Sequence, residues 1–412
     1  MTTTAHHPAG PAALRLTTWP AEIRALLAAT FIARAIGFCY PFLPYHLDAL
    51  NLDPQAIGMT LTGFGVGWLI GSVLWGWLAD RIGRRDTLVT AMALAALTLA
   101  LLAQAQETNS VMAAACVAGV VYDATRPVFS AAIAARYPDD ESRAAVNAHR
   151  NFAVNVAAAI AGASGGLLAD PIGIPGLLWA NAAACAVCAF IAWTHVDPQG
   201  VRSNRTPLQT ALRDRRLWLL LTVSLATLTA AAGLFSSLPL LMTQAGMSAA
   251  DYGWAQGANA VAVLALSPFM NRWLSRRAGN GQPMTGLLAG SALVLGTSMA
   301  SAALASTVIG FSLSAALVVP GEIIAFVAAG DILMRIAPPG AHGLYAGVWG
   351  TTLAGAVVVA PMLATLALEQ GGPDLVGASH LATGALGAAL CWPLARAVRA
   401  PRQRGIARAS TT

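Results

Sequence analysis

The ten residues 76–85 read GWLADRIGRR, and this stretch decides the fold. It lies between two long apolar runs. No charged residue occurs from Gln55 to Ala79, and a second run extends from Thr87 to Ala105. Between these runs the stretch contains one acid, three arginines and two glycines. The pattern indicates a short, strongly basic turn that joins two membrane spans.

The composition of the whole chain is that of a membrane protein. The 412 residues are 57% hydrophobic and 10% charged, with a mean hydropathy of +0.63, whereas soluble domains carry about 25% charged residues. Backbone polar groups in lipid must bond within the protein, so only helices or a closed barrel can span the bilayer. The apolar runs are continuous rather than alternating, which favours helices. We therefore predict an all-α integral membrane protein.

Twelve apolar runs have the length of about 20 residues that one helical crossing needs. Proline and glycine mark many of their ends. The predicted spans are 22–47, 55–79, 86–106, 109–136, 142–168, 176–195, 215–245, 250–275, 283–304, 308–336, 341–369 and 375–397.

The charges outside these spans separate by sign. The chain has 24 basic residues, all of them arginine. Outside the spans they lie in one set of alternate loops and in both termini, whereas the opposite loops contain acids and no arginine. By the positive-inside rule, we expect both termini to be cytoplasmic. With the alanine- and arginine-rich composition, this pattern predicts a multi-pass protein of the bacterial cytoplasmic (inner) membrane.

The two halves of the chain resemble each other. Residues 43–58 match residues 238–253 at a constant offset of 195, starting with a Leu-Pro pair in each copy. This parallel duplication predicts an N-terminal six-helix bundle over 1–195, a cytoplasmic linker over 196–214 and a C-terminal six-helix bundle over 215–412.

The basic turn also matches a known family motif. The major facilitator superfamily carries a loop of the form G-x-L-A-D-[R/K]-x-G-[R/K]-[R/K] between its second and third helices, and the chain resembles this family in every fixed position. The resemblance implies twelve helices in two pseudo-symmetric six-helix bundles, transport by alternating access, no enzymatic activity and no cofactor. The matching residues are Gly76, Leu78, Ala79, Asp80, Arg81, Gly83, Arg84 and Arg85.

Within the family, the chain most resembles the twelve-helix drug:proton antiporter-like branch, with two departures. These exporters carry G-x-x-x-G-P-x-x-G-G in span 5. Residues 157–166 retain only Gly165, Gly166 and a shifted Gly162, without the proline. Ala115 stands where exporters have an arginine in span 4.

Four charged residues fall near the middle of a span: Arg34 in span 1, Asp123 and Arg126 in span 4, and Glu322 in span 10. A charge at this depth is costly and is usually functional. In the eight spans other than 1, 4, 7 and 10, no charge falls mid-span except Arg150, two turns into span 5. In the family, spans 1, 4, 7 and 10 line the central cavity, so the resemblance places the four residues on the substrate path.

Each acid admits two interpretations. Asp123 and Arg126 are three residues apart and share a helix face, so they form either a self-neutralising pair or a gated substrate and proton site. Glu322 has no cation nearby on its own helix, and burial without a partner favours the protonated form. We therefore predict that it carries the proton, unless Arg34 or Arg126 reaches across the cavity and keeps it ionised. The aromatic residues expected to shape the cavity are Tyr40 and Tyr122.

The family resemblance further implies a conformational latch at the cytoplasmic end. Family members couple the loop between spans 2 and 3 to acids that follow span 4, here Asp139 or Asp140. We expect these residues to control switching rather than recognition. The predicted latch consists of Gly76, Asp80, Arg81, Gly83, Arg84, Arg85, Asp139 and Asp140.

The leading functional hypothesis is proton-coupled export of a small amphiphilic or apolar organic compound, a drug or a metabolite. The alternative is proton-coupled uptake of a small organic anion, because Arg34 and Arg126 offer a carboxylate site. A non-transporting receptor is the alternative of another class. The expected partners are a small-molecule substrate, protons and the lipid bilayer, with no nucleic acid, and we expect a monomer. The chain has neither a lysine nor a nucleotide-binding P-loop, so it cannot itself be an ATP-driven pump.

Overall fold

The computed structural model describes residues 19–137, 140–198, 208–278, 283–338 and 341–399, and the regular structure within them is helical. The helices are α1 Ala21–Ala35, α2 Cys39–Ala49, α3 Pro54–Arg81, α4 Arg84–Gln104, α5 Thr108–Tyr122, α6 Thr125–Arg136, α7 Asp140–His195, α8 Leu208–Leu212, α9 Arg215–Ala232, α10 Ser237–Gln244, α11 Ala249–Ala278, α12 Thr285–Ala302, α13 Val308–Ile336 and α14 His342–Arg399.

Nine helical segments of the described chain are long and apolar enough to cross a membrane. Two of them, Phe152–His195 with 44 residues and Leu344–Arg399 with 56, are about twice as long as one crossing needs. Each contains a glycine with positive φ, 70° at Gly173 and 65° at Gly372, where the helix is broken. With α11 as a further long helix, the set is consistent with the twelve predicted spans.

Three of the predicted cavity spans are broken in the middle, and the same residue type explains each break. Span 1 is divided into α1 and α2, span 4 into α5 and α6, and span 7 into α9 and α10. The third residue of each second helix is a proline: Pro41, Pro127 and Pro239. A proline ring clashes with the carbonyl four residues earlier, so the helix cannot continue through that point. In the first turn of a new helix the missing N–H is harmless.

Buried polar side chains from spans 6 and 12 bond to two of these breaks. Asn181 accepts a hydrogen bond from the backbone N–H of Cys39 at 3.1 Å, at the start of α2. His380 lies 2.9 Å from the hydroxyl of Ser237, at the start of α10. Both side chains are only 4% exposed. Asn181 and His380 occupy corresponding places in the two halves, so the predicted duplication extends to the way in which the broken spans are held.

The halves pack against each other only at one end. We call the ends of the spans the arginine-rich end and the acidic end, after their loops. The N-terminal core takes in C-terminal residues from 225–240 and 353–364, and the C-terminal core takes in N-terminal residues from 36–45 and 161–180. These segments run from the middle of their spans to the acidic end. In the described residues, the protein is therefore closed at the acidic end and parted at the arginine-rich end.

The tightest contact of this closed end is between two glycines. A Cβ on Gly253 in α11 would lie 2.3 Å from the Cα of Gly166 in α7, and one on Gly166 would lie 2.2 Å from the Cα of Gly253. No side chain fits at either position while the halves are closed. One turn further along α11, a Cβ on Gly257 would meet no atom within 4 Å.

We predict that Gly253→Ala shifts the protein away from the closed acidic end. An overpacked contact costs about 1–3 kcal/mol, which corresponds to roughly 5–150-fold in a conformational equilibrium. Spin labels at two exposed acidic-end positions, introduced as Gln55→Cys and Asp374→Cys in a protein without its native cysteines, should report a longer distance.

The matched control is Gly257→Ala, which we expect to leave the distance distribution unchanged. If both substitutions leave it unchanged, the glycine contact does not hold the acidic end closed. If both lengthen it equally, helix propensity rather than close packing is responsible.

Candidate functional site

The centre of the candidate site is the break between α5 and α6. Asp123 follows the last residue of α5 and has φ −119° and ψ 25°, outside the helical region. The ring of Pro127 would clash with the carbonyl of Asp123 in a continuous helix, which explains why the break falls here. The carboxylate of Asp123 is thereby placed between spans 1, 2 and 4, with only 5% of its side chain exposed.

Three donors bind this carboxylate. Arg34 from α1 forms an ion pair with one oxygen. Arg126 from the first turn of α6 binds the other oxygen at 2.6 Å, and the indole N–H of Trp68 donates to the same oxygen at 3.3 Å. Charge-assisted hydrogen bonds of this kind are shorter and stronger than those between neutral groups. Asp123 therefore holds three spans of the N-terminal half together.

The cluster has an excess of positive charge. Arg34 and Arg126 share one carboxylate, and their side chains are 14% and 34% exposed. Arg150 from α7 lies near enough to interact electrostatically with Arg126 and Asp123. Two guanidinium groups thus bind one carboxylate, a third positive charge lies nearby, and Arg126 is more exposed than Arg34. An arginine pair of this kind is suited to binding carboxylate or phosphate groups.

Aromatic rings form the floor of the site towards the acidic end. The guanidinium carbon of Arg34 lies 4.5 Å from the ring centre of Tyr122, within cation–π range. Tyr40 packs on Tyr122 at 5.6 Å and on Phe235 of the other half at 5.2 Å. The hydroxyl of Tyr40 is buried and has no hydrogen-bond partner among the described residues. The floor therefore joins the two halves and contains one polar group without a partner among the described residues.

Glu322 lies apart from this cluster. It follows Pro320 in α13, which continues through this proline as a single helix, and its side chain is half-buried. Among the described side chains it has no hydrogen bond and no ion pair. Arg34 and Arg126 are instead engaged with Asp123. In this conformation neither arginine pairs with Glu322.

The chain matches a known family over most of its length. The family model described as Major Facilitator Superfamily matches residues 25–361. The chain belongs to this superfamily. It is a multi-pass membrane transporter of the secondary type and not an enzyme. No curated protein matches by sequence.

Solved transporters share the fold at low sequence identity. A POT family transporter in complex with 5-aminolevulinic acid has a TM-score of 0.74 at 13% identity, covering 94% of this chain and 98% of that one. A mutant of the peptide transporter POT in complex with alafosfalin has a TM-score of 0.74 at 15% identity, and the match covers 94% of this chain and 97% of that one. The nucleoside transporter NupG has a TM-score of 0.68 at 14% identity, and the match covers 92% of this chain and 99% of that one. These similarities concern the fold alone.

The superfamily loop has the backbone that its motif requires. Gly83 has a φ of 90° and ends the turn between α3 and α4, a conformation that favours glycine. A Cβ on Gly76 would lie 3.7 Å from Pro127, an ordinary contact, so steric exclusion does not explain that glycine. The loop thus brings span 2 beside the second half of the broken span 4.

The described arginines of the predicted latch have partners within the N-terminal half. Arg84 is 6% exposed and donates to Glu22 of α1 at 2.9 Å. Arg85 pairs with Asp86 at 2.9 Å, and Arg81 stacks on Trp77 at 4.4 Å. Glu22 was not predicted as a partner.

The acids of the predicted latch fall outside this description. Asp139 and the side chains of Asp80 and Asp140 lie outside the described part of the chain, and their role in the latch stays a prediction. In the C-terminal half, Arg335 pairs with Asp331 at 2.8 Å near the arginine-rich end of α13.

The structure brings together most of the predicted substrate residues and adds others. Arg34, Asp123, Arg126, Tyr122 and Tyr40 form one cluster, whereas Glu322 remains separate. Sequence reasoning missed the indole donor Trp68 and the floor residue Phe235. The available signal for Trp68 was its place in the middle of a span, because membrane tryptophans usually lie at the interfaces.

We predict that Asp123→Asn destabilises the protein strongly. The substitution leaves two arginines without their carboxylate, and breaking a buried pair in this way costs about 3–5 kcal/mol. The thermal midpoint of the purified protein should fall accordingly.

Asp86→Asn is the matched control, because it removes a carboxylate from a pair whose side chains are 31% and 51% exposed. Exposed pairs contribute about 0–1 kcal/mol, so we expect little change. Equal midpoints for the two variants would contradict the structural role of Asp123.

Proposed function

We propose that the protein transports a small organic anion together with a proton. The observation that carries the proposal is the charge balance of the described site. Arg34 and Arg126 share the carboxylate of Asp123, Arg150 adds a further positive charge nearby, and Arg126 is more exposed than Arg34. A site with excess positive charge and partial burial attracts an anion and repels a cationic cargo.

The coupling follows from the place of Glu322. Protonation of its unpaired carboxyl removes a negative charge from the cavity, which favours the binding of an anion at the arginines. By thermodynamic reciprocity, a bound anion favours protonation to the same extent. Two co-substrates that assist each other's binding move in the same direction, so the mechanism is symport. A cationic cargo would compete with the proton and would be exchanged for it.

The direction depends on the orientation of the chain. We place the arginine-rich end in the cytoplasm of a bacterial inner membrane, in line with the positive-inside rule. A proton gradient directed inward then drives uptake of the anion. The described conformation, parted at the arginine-rich end, corresponds to the inward-facing state in which the substrate is released.

Export of an amphiphilic compound is the second candidate, and one observation favours it. One turn after Glu322, the ring of Phe326 lies 6.0 Å from Trp349 at an angle of 90°, and Phe326 is 36% exposed. This apolar wall beside an unpaired acid suits a cargo with an apolar body. The two candidates predict opposite proton movements, so one experiment separates them.

We expect a gradient of a short carboxylate to acidify proteoliposomes that contain the protein. The lumen holds a pH-sensitive dye, and a panel of carboxylates with three to six carbons and one quaternary ammonium amphiphile is added outside. Glu322→Gln should abolish the acidification because it removes the exchangeable proton. It should retain counterflow of the radiolabelled carboxylate, because the arginines are intact.

Glu369→Gln is the control, since Glu369 is an exposed acid at the acidic end of span 11. Proteoliposomes with this variant should show the same acidification of the lumen as those with the wild type. If the amphiphile instead drives an alkaline shift, the export candidate replaces anion symport. If Glu322→Gln acidifies undiminished, another group carries the proton.

A further inference from the structure

Arg150 is a half-buried charge near the site, and its hydrogen bond is to α6 rather than to Asp123. It lies ten residues after Asp140, where α7 begins, and Arg126 lies ten residues before Arg136, where α6 ends. At 1.5 Å per residue, both are about 15 Å from the arginine-rich end. Two arginines on neighbouring spans thus share one depth, on the side from which the described conformation is open.

The contacts of Arg150 fix it to the face of α6 that carries Arg126. Its Nη1 donates to the hydroxyl of Ser130 at 2.8 Å, and its guanidinium carbon lies 5.8 Å from the ring centre of Phe129. Ser130 follows Arg126 by four residues, so the two lie on the same face of α6, one turn apart. Arg150 and Arg126 are close enough to interact electrostatically. The guanidinium group of Arg126 binds Asp123 and that of Arg150 binds Ser130, so the two positive groups lie along span 4 at its opening towards the arginine-rich end.

Arg126 and Arg150 together carry more positive charge than the described carboxylates near them can balance. Asp123 is already bound by Arg34, Arg126 and Trp68, and no other described carboxylate contacts Arg150. Like charges on one half-buried face repel each other. A ligand with two anionic groups would relieve this repulsion at both arginines. Guanidinium groups are also shaped for this task, because their planar fork binds a carboxylate through two hydrogen bonds.

We propose that Arg126 and Arg150 form a two-point anion site and that the transported anion carries two separate anionic groups, one for each arginine. A short dicarboxylate has this character. The inference rests on the proposed anion transport and names its substrate class. Arg126 binds the anionic group nearer to Asp123, and Arg150, held by Ser130, binds the second. Arg150 thus determines specificity.

A purely structural role of Arg150 predicts something different. If it only fastens α7 to α6 through Ser130, its loss lowers stability and leaves the relative affinities of one-charged and two-charged anions unchanged. The ratio of these affinities is therefore the informative quantity.

The test measures binding of dicarboxylates with three to six carbons and of the monocarboxylates of equal length to the purified full-length protein by isothermal titration calorimetry. We expect the wild type to bind the best dicarboxylate at least tenfold more tightly than its monocarboxylate. Arg150→Gln should reduce this ratio to below threefold without changing the affinity for the monocarboxylate. Arg126→Gln should weaken both ligands.

Arg136→Gln is the control, because Arg136 is an exposed arginine at the end of α6, and it should keep the full ratio. Arg150→Lys retains the charge and should keep most of the preference. If Arg150→Gln does not fold, Ser130→Ala replaces it. Without the hydroxyl that positions Arg150, the ratio should fall at least threefold.

Each of the other outcomes overturns either the two-point site alone or the proposed anion transport as well. If wild type binds both ligand classes equally, or Arg150→Gln keeps the ratio, the two-point site is wrong while anion transport stands. Inorganic phosphate is a single anionic group. If it binds as tightly as the best dicarboxylate, the requirement for two separate anionic groups is wrong. If no carboxylate of the panel binds and the quaternary ammonium amphiphile does, the proposed function fails, and the two-point site fails with it.

Discussion

The carboxylate of Asp123 is the constraint on which the N-terminal half depends. It is almost fully buried and is bound by a side chain from each of spans 1 and 2 and by Arg126 of its own span. A lone carboxylate at this depth would be strongly unfavourable, and so would either arginine alone. The three charges are tolerable only together, which fixes where spans 1 and 4 approach each other. The same arrangement leaves a surplus of positive charge that faces the opening.

Prolines create the places at which such groups can be positioned. Pro41, Pro127 and Pro239 each stand third in the helix that follows a break, so the steric clash falls on the carbonyl two residues before that helix. A break frees backbone groups that must find partners within the protein, because lipid offers none. Asn181 supplies such a partner in the N-terminal half, and His380 bonds at the corresponding place in the other. Span 10 keeps its proline inside a continuous helix, so Glu322 projects from a regular helix rather than from a break.

Much of the fold was accessible from the sequence, and the site only in part. The loop motif, the separation of charges and the duplication together predict the family, and the family model confirms it. The depth of Arg34, Asp123, Arg126 and Glu322 also follows from counting residues along each span. Partners do not follow, because rotation of a helix about its axis is not encoded in hydropathy when the whole surface is apolar. For this reason Trp68, Phe235 and the bond between Arg84 and Glu22 emerged only from the structure.

In the proposed mechanism the anion and the proton bind to different halves. Their transport is coupled because both halves take part in one movement. Excess positive charge belongs to the N-terminal half and the unpaired acid to the C-terminal half, and the aromatic floor that separates them from the acidic end contains Phe235 from the second half. Opening that end requires Phe235 to leave Tyr40, and Gly253 to leave Gly166. An anion at the arginines and a proton on Glu322 alter the electrostatic energy between the same two bodies. In the proposed mechanism each ligand therefore biases the one rearrangement that both need, which is the physical requirement for coupled transport.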